Sequence, residues 1–460
     1  MERIIAGLIF VVVLANFVTF SINTAYSWDE AVYLSMGESA YKGDAFCNIG
    51  GKQFDLIDCS ARSRYFVYLL GGSFSFFGIN YSSTTFFMAI LSALTVLVSY
   101  LLFKKLFNKE KALLATLFIA TNYMFIFFSH RIMTEIISTL LLVISLYFFF
   151  ELLNNKFVKL IPLFISLGFT IMFRFNFVVI PISIVLYLIL FERKLIPEIL
   201  KSKYFYFGLA LFLAIISPQF LVLEKNIEYA ATTSFIPFHY FILFIPAAGI
   251  LAPYTLYGIY LFFRGKGNSE AKGVHKKYIK FLVFFLLIFF LVTGYRLLSI
   301  RYLAPIIPVF AILGVYFLDS GKKVWIKTFA LLAVINIVIG YLAIIQYIAP
   351  ISEIDKFPEF ISRKSYFDAN NVRKDIALDI RDNTGQDSVI LTNAPAWVWV
   401  YTHRNWDELP DNETEFIKKI EWDKNIEYLY VEPSKPYLYN NSRSELLNKT
   451  VFIELYKVRR

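Results

Sequence analysis

Residues 27–30 read SWDE and follow the first apolar run of the chain. Adjacent carboxylates at such a place can do acid–base work, because an ionised carboxylate takes the proton of a hydroxyl as that hydroxyl attacks. Asp29 and Glu30 are candidates for such work. The same four residues also spell a helix start. Ser27 with Glu30 three positions on is a capping box, and Asp29 adds negative charge to the first turn. Further along, FFSHRIMTEIISTLLLVISLYFFF (127–150) sets His130, Arg131 and Glu135 at the head of a long apolar run. GFTIMFRFNFVVIPI (168–182) holds Arg174 between two short runs, and TGYRLLSIRYLAPIIPVF (293–310) adds Arg296, Arg301 and Tyr302. A carboxylate one turn inside an apolar run is costly and faces a partner or a polar cavity. Each arginine alone reads as a side chain reaching to a membrane interface. Taken together, guanidinium forks suit a phosphate, which they bind through paired hydrogen bonds.

The elements that must carry these residues are membrane helices. The chain has 460 residues, is 58% hydrophobic and contains 50 Phe and 30 Tyr. Apolar runs of bilayer-crossing length recur over the first 350 positions. The pattern predicts eleven helices, over 4–23, 82–103, 112–129, 132–153, 159–173, 175–191, 204–222, 237–263, 278–295, 302–319 and 324–347. The first run lacks an A-x-A-like cleavage site and reads as a retained helix rather than a signal peptide.

Charge sets the expected orientation. Residues 1–350 carry 29 Lys+Arg against 16 Asp+Glu, and residues 351–460 carry 16 against 19. The basic balance therefore belongs to the membrane part, which argues against nucleic acid as a partner and for topology signals. Lys104, Lys105, Lys109 and Lys111, then Arg193, Lys194, Lys201 and Lys203, then Lys276, Lys277, Lys322 and Lys323 all fall on one side, which the positive-inside rule makes cytoplasmic. The N-terminus is then inside, and the loop 24–81 and the C-terminal region are outside. Cys47 and Cys59, the two cysteines, lie in that outside loop, where a disulfide is the expected state and two free thiols the alternative. The sequons at Asn80, Asn412, Asn440 and Asn448 are on the same side.

The outside loop is expected to hold two helices lying in the membrane interface, one from Glu30 to Tyr41 and one within RYFVYLLGGSFSFFGIN (64–80). Domain boundaries follow: 1–350 is a transmembrane domain, and 351–460 a small extracytoplasmic α/β domain. In the latter, Val372, Ile376 and Ile380 mark a helix, as do Phe416, Ile417 and Ile420. DSVILTN (387–393), IEYLYVEP (426–433) and TVFIELYKV (450–458) read as strands. No Walker loop, no G-x-G-x-x-G and no His/Cys metal spacing is present in the sequence.

An acidic DE pair after the first membrane helix, SHRIMTE at the start of the fourth, GFTIMFR, and RYLAPIIPVFAILGVYF together resemble the polyprenyl-phosphate-sugar-dependent glycosyltransferases of the GT-C superfamily. The branch most similar is that of the protein O-mannosyltransferases and aminoarabinose transferases. The resemblance implies an inverting transferase that takes a sugar from a polyprenyl (dolichyl or undecaprenyl) phosphate donor. The acceptor is a protein, lipid or glycan hydroxyl, and the site is at the outer face of the membrane. It implies Asp29 as general base, Glu30 in support, and Glu135 at the family's second acidic position, where many relatives have Asp. Arg131, Arg174, Arg301 and Tyr302 become candidates for the lipid phosphate. The family divides over a divalent metal, so Asp29 and Glu135 are its ligands only if one is used. No other cofactor is implied. The alternative from another class is a transporter or flippase for polyprenyl-linked glycans, which predicts repeated halves with matching interrupted helices. No such repeat is legible.

Overall fold

A computed structural model of the chain describes residues 2–19, 27–44, 47–53, 63–220, 251–264, 274–292, 300–316, 364–410, 413–431, 444–449 and 454–458, with isolated positions between 248 and 338. The expected helix over 324–347, the first half of the one over 237–263, Arg296 and Cys59 lie outside the described residues.

Along the chain, α1 (Glu2–Thr19) is followed by α2 (Trp28–Tyr41), a short hairpin of β1 (Asn48–Ile49) and β2 (Lys52–Gln53), and α3 (Arg64–Phe77). Then come α4 (Tyr81–Leu106), α5 (Lys109–Thr121), α6 (Tyr123–Phe128), α7 (Glu135–Leu152), α8 (Leu160–Phe173), α9 (Val179–Phe191), α10 (Leu195–Lys201) and α11 (Lys203–Phe220). After these stand α12 (Leu251–Phe263), α13 (Val274–Val292) and α14 (Ile307–Tyr316). The last part holds α15 (Lys364–Asn383), β3 (Val389–Thr392), α16 (Pro395–Thr402), β4 (Asn405–Glu408), α17 (Glu413–Trp422), β5 (Ile426–Val431), β6 (Ser444–Lys449) and β7 (Glu454–Val458).

These elements form two compact units that interleave along the chain. One comprises residues 1–22 and 85–362, the other residues 23–84 and 363–460.

The first unit is helical. Among its described residues, Ser82–Leu106 and Glu135–Leu152 are each long and apolar enough to cross a membrane. The pair Leu195–Lys201 and Lys203–Pro218, bent by 76°, makes a third if it is one span. The spans expected over 4–23, 159–173, 175–191 and 302–319 coincide with shorter apolar helices, the one over 278–295 lies mostly in α13, and the one over 112–129 is divided between α5 and α6. Breaks shorten them, and each has a local cause. Asn122 is fully buried and its Oδ1 accepts from the backbone N–H groups of Met124 and Phe125 at 3.0 and 3.2 Å, starting α6 afresh. Such a cap competes with continuing the helix, so the run expected over 112–129 is two helices. The helix expected from 132 begins at Glu135, after a turn over 129–134.

Hydroxyls inside these apolar helices are satisfied within their own turns. Ser92, Thr95 and Ser99 donate to the carbonyls of Met88, Leu91 and Thr95 at 2.7–2.8 Å, which removes the cost of a bare donor in hydrocarbon. Small residues bring α8 and α11 together: a Cβ on Gly208 would stand 2.6 Å from the ring of Phe164, a close approach of the kind small residues allow between membrane helices. At the C-terminal ends of α4 and α7, Lys105 pairs with Glu151, which also holds Lys156 at 2.7 Å.

The second unit joins α2 and α3 to a five-stranded sheet of order β4-β3-β5-β7-β6. β3 runs parallel to both β4 and β5, and β7 is antiparallel to both β5 and β6. β3 is buried along its whole length, as a central strand covered on both faces must be. Val389, Leu391, Phe416, Ile420, Ile426, Leu429, Val431, Tyr456 and Val458 form one core. Leu429 and Val431 reach it at the two-residue period of a strand. α2 crosses α3 at two glycines: a Cβ on Gly71 would lie 3.0 Å from the Gly37 carbonyl oxygen.

Candidate functional site

Glu135 opens α7, at the end opposite Glu151. A carboxylate in a first helical turn is favoured by the helix dipole, but this one is only 3% exposed. Burial of a charge demands a partner. The partner is Arg174, whose Nη1 stands 2.7 Å from Glu135 Oε1. Arg174 occupies the break between α8 and a 3₁₀ turn over Phe175–Val178, in an extended conformation. α7 and α8 pack side by side, so the break brings the guanidinium to the head of α7.

A second 3₁₀ segment, Ile300–Ile306, supplies Arg301 and Tyr302. The Tyr302 ring lies 4.7 Å from the Arg174 guanidinium carbon and 5.3 Å from that of Arg301. One aromatic ring thus meets two cations, an arrangement that cation–π attraction supports. Glu135 neutralises one of them. Glu135, Arg174, Arg301 and Tyr302 form one cluster that brings one carboxylate and two guanidinium groups to one ring.

Arg131 and His130 belong to the buried turn just before α7. Arg131 is 1% exposed and stacks against Phe127, its guanidinium carbon 5.4 Å from the ring centroid. His130 meets the edge of the same ring, with centroids 6.3 Å apart. Six consecutive turn residues buried in an apolar bundle are unusual, because irregular backbone at membrane depth survives only inside protein or beside a polar cavity.

Asp29 and Glu30 belong to the second unit. Glu30 is 1% exposed, and its Oε2 accepts from Ser27 N at 2.9 Å and Ser27 Oγ at 3.0 Å. Its carboxylate is committed to fixing the start of α2. Asp29, one residue earlier on the same turn, is partly exposed. Cys47 is disulfide-bonded, and Cys59 is the one other cysteine of the chain. Among the described residues no three His, Cys, Asp or Glu side chains gather to hold a metal ion, and Glu135 already has a guanidinium for its counter-charge.

The sequence pass did not single out the tryptophans. The chain has six, and Trp28, Trp397, Trp399 and Trp406 all lie where α2 and the β1–β2 hairpin meet the C-terminal elements. Trp28 and Trp397 meet edge to face at 5.0 Å. Trp399 Nε1 donates to Glu38 at 3.1 Å and Trp406 Nε1 to the Ile49 carbonyl at 2.9 Å. A rare residue concentrated in two distant segments was the available signal.

Residues 63–221 match the family described as dolichyl-phosphate-mannose-protein mannosyltransferase. Among solved structures, ArnT from Cupriavidus metallidurans bound to undecaprenyl phosphate superposes with a TM-score of 0.67 at 12% identity, over 99% of this chain and 98% of that one. The Archaeoglobus fulgidus oligosaccharyltransferase tethered with an acceptor peptide containing the NVT sequon gives 0.53 at 13% identity, over 93% of this chain and 69% of that one. The mycobacterial arabinofuranosyltransferase AftD gives 0.51 at 11% identity, over 100% of this chain and 40% of that one. No curated protein matches the chain in sequence.

Proposed function

From the fold shared with the GT-C membrane glycosyltransferases, we propose that this protein is an inverting glycosyltransferase. It takes a sugar from a polyprenyl phosphate and moves it to an acceptor hydroxyl at the outer face of the membrane. The observation that carries the reading is the cluster of Arg174, Tyr302 and Arg301 around the buried Glu135, at the head of a membrane-length helix. A lipid-phosphate leaving group stays in the bilayer, so its binding site belongs at the end of membrane helices rather than in a soluble nucleotide fold.

The acceptor oxygen attacks the anomeric carbon, the bond from that carbon to the phosphate oxygen breaks, and the electron pair leaves with the polyprenyl phosphate. In-line attack inverts the anomeric centre. Asp29 receives the acceptor proton. Glu30 holds the turn that carries Asp29 through its cap with Ser27. Arg174 and Arg301, with Arg131, offset the charge that grows on the leaving phosphate, and the Tyr302 ring is in contact with Arg174 and Arg301. Glu135 fixes Arg174. Such preorganised cations act where charge develops and need no rearrangement during the reaction.

Transfer from a labelled polyprenyl-phosphate sugar in proteoliposomes, by the wild type and by Asp29→Asn, tests this reading. Loss of a positioned base costs about 10²–10⁴-fold, so the variant should fall at least about a hundredfold. Equal transfer by both proteins would remove Asp29 from the chemistry. Movement of the intact lipid-linked glycan across the bilayer, with no transfer, would favour the flippase.

A further inference from the structure

The second unit holds α2 against α16 at several points. At its start, Trp28 meets Trp397 edge to face at 5.0 Å, and Trp397 is 3% exposed. The Arg373 guanidinium carbon, from α15, lies 4.4 Å from the Trp397 centroid. Arg373 is itself anchored: its Nη1 donates to Asn370 Oδ1 at 3.2 Å, and its carbonyl accepts from the Tyr430 hydroxyl at 3.1 Å. Further along α2, Ser35 Oγ approaches the Ala396 carbonyl at 3.5 Å and Glu38 accepts from Trp399 Nε1 at 3.1 Å.

Trp28 and Asp29 are neighbours on the first helical turn. The Ser27–Glu30 cap fixes the backbone of that turn, and α3 packs against the later turns of α2 at Tyr33 and Gly37. At the first turn itself the Trp28 ring meets Trp397, and a buried, cation-backed indole is a stiff stop beside Asp29. Placement matters for a base. A displacement of about 1 Å at a reacting group can cost about a hundredfold in rate.

We infer that Trp397 is a positioning residue for Asp29, so that the C-terminal α/β elements set the orientation of the base rather than only selecting an acceptor. The inference rests on Asp29 as the base, as proposed above.

The test measures sugar transfer by the full-length protein in proteoliposomes, with kcat and KM separated. Trp397→Ala should lower kcat about ten- to a hundredfold and leave the KM for donor and acceptor within about twofold. Trp397→Phe, which keeps a ring against Trp28, should recover most of kcat. Trp422→Ala, in the same unit but 96% exposed, should behave as wild type. Because Trp397 is assigned to act through Asp29, adding Trp397→Ala to Asp29→Asn should bring no further loss. If Trp397→Ala does not fold, Trp28→Leu, from the partly exposed side of the same contact, takes its place with the same expected outcomes.

An unchanged kcat overturns the inference, as does a rise in acceptor KM alone, which would make the tail an acceptor-selecting surface. Losses that multiply in the double variant overturn it too, since the two residues would then act independently. Each of these leaves the transferase reading standing if Asp29→Asn is inactive. Full activity of Asp29→Asn removes the base assignment, and this inference with it.

Discussion

Glu38 gives the sharpest prediction about what holds α2 in place. It sits in the last turn of α2, where a helix dipole disfavours a carboxylate, and its side chain is 6% exposed. Burial alone would raise its pKa. His403 and Lys42, beside its two oxygens, outweigh that and hold it down at about 2. Lys42 Nζ stands 2.7 Å from one carboxylate oxygen, and Trp399 Nε1 and His403 Nε2 stand 3.1 and 3.6 Å from the other. A carboxyl held at about 2 instead of 4.5 contributes at most about 3 kcal/mol at 1.36 kcal/mol per pH unit. Lys42 and His403 are about half exposed, so solvent screens both partners, and about 1–2 kcal/mol is the realistic share.

The sign is fixed by linkage. A depressed carboxylate pKa stabilises fully above the unfolded value near 4.5, and that stability is lost as pH falls toward 2. Glu38→Gln keeps the size and removes the charge. At pH 7 it should be less stable by about 1–2 kcal/mol, and the gap should narrow as pH is lowered from 4.5 to 3, where the unfolded chain takes up the proton and the folded carboxylate, held at about 2, does not. Thermal unfolding of the detergent-solubilised protein, followed by tryptophan fluorescence, reads both. A variant as stable as wild type at pH 7, or a gap that stays constant into acid, would refute the argument.

Two other perturbations follow from the packing. Gly50 has φ +60 and a Cβ there would meet the Trp399 ring at 2.4 Å, whereas Gly43, at φ +85, has open space around it. Gly50→Ala should therefore cost at least about 2 kcal/mol, and Gly43→Ala only the backbone term of about 1–2 kcal/mol; equal melting temperatures for the two would contradict the contact. In the first unit, Glu135→Gln leaves the Arg174 guanidinium, 10% exposed, without its counter-charge. It should cost about 3–5 kcal/mol, much of which Glu135→Leu with Arg174→Met should restore. Melting curves for the single and double variants decide this, and a wild-type melting temperature for Glu135→Gln would show that the pair is not structurally needed.

What the sequence disclosed, and what it did not, follows from the range of the interactions. Glu135 was legible because a carboxylate one turn into an apolar run has no bland explanation at that depth, and its partner Arg174 stands in an equally exceptional place. The Ser27–Glu30 cap was legible because its donor and acceptor are three residues apart. The interruption at Asn122 was also local, since an asparagine inside FIATNYMF is a cap signal, but the apolar run around it dominated the reading. α16 was missed for a different reason. Its sequence, PAWVWVYT, alternates bulky and branched residues like a strand, and only Pro395 at its first turn speaks for a helix. β6 was missed because SELLNK has no alternation of its own and gains its place by pairing with β7.

The contacts that place α2 are the longest in range. Trp399 reaches Glu38 and Ala396 meets Ser35 across 361 residues, Trp406 reaches Ile49 across 357, and Lys52 Nζ reaches the Trp406 carbonyl at 2.6 Å across 354. No local pattern can encode such pairings, yet they are thermodynamically accessible. Loop closure grows only logarithmically, at about 0.6 kcal/mol per doubling of length, while each net hydrogen bond returns about 0.5–1.5 kcal/mol and the buried indoles more. The order of synthesis then matters. Residues 27–53 are made long before residues 364–458, so α2 first exists without Trp397, Trp399 and Trp406. Until these residues arrive, the first turn of α2 has its cap and the later turns have α3, but Trp28 lacks the Trp397 ring. Asp29 and Glu30 are therefore oriented by elements made long after them.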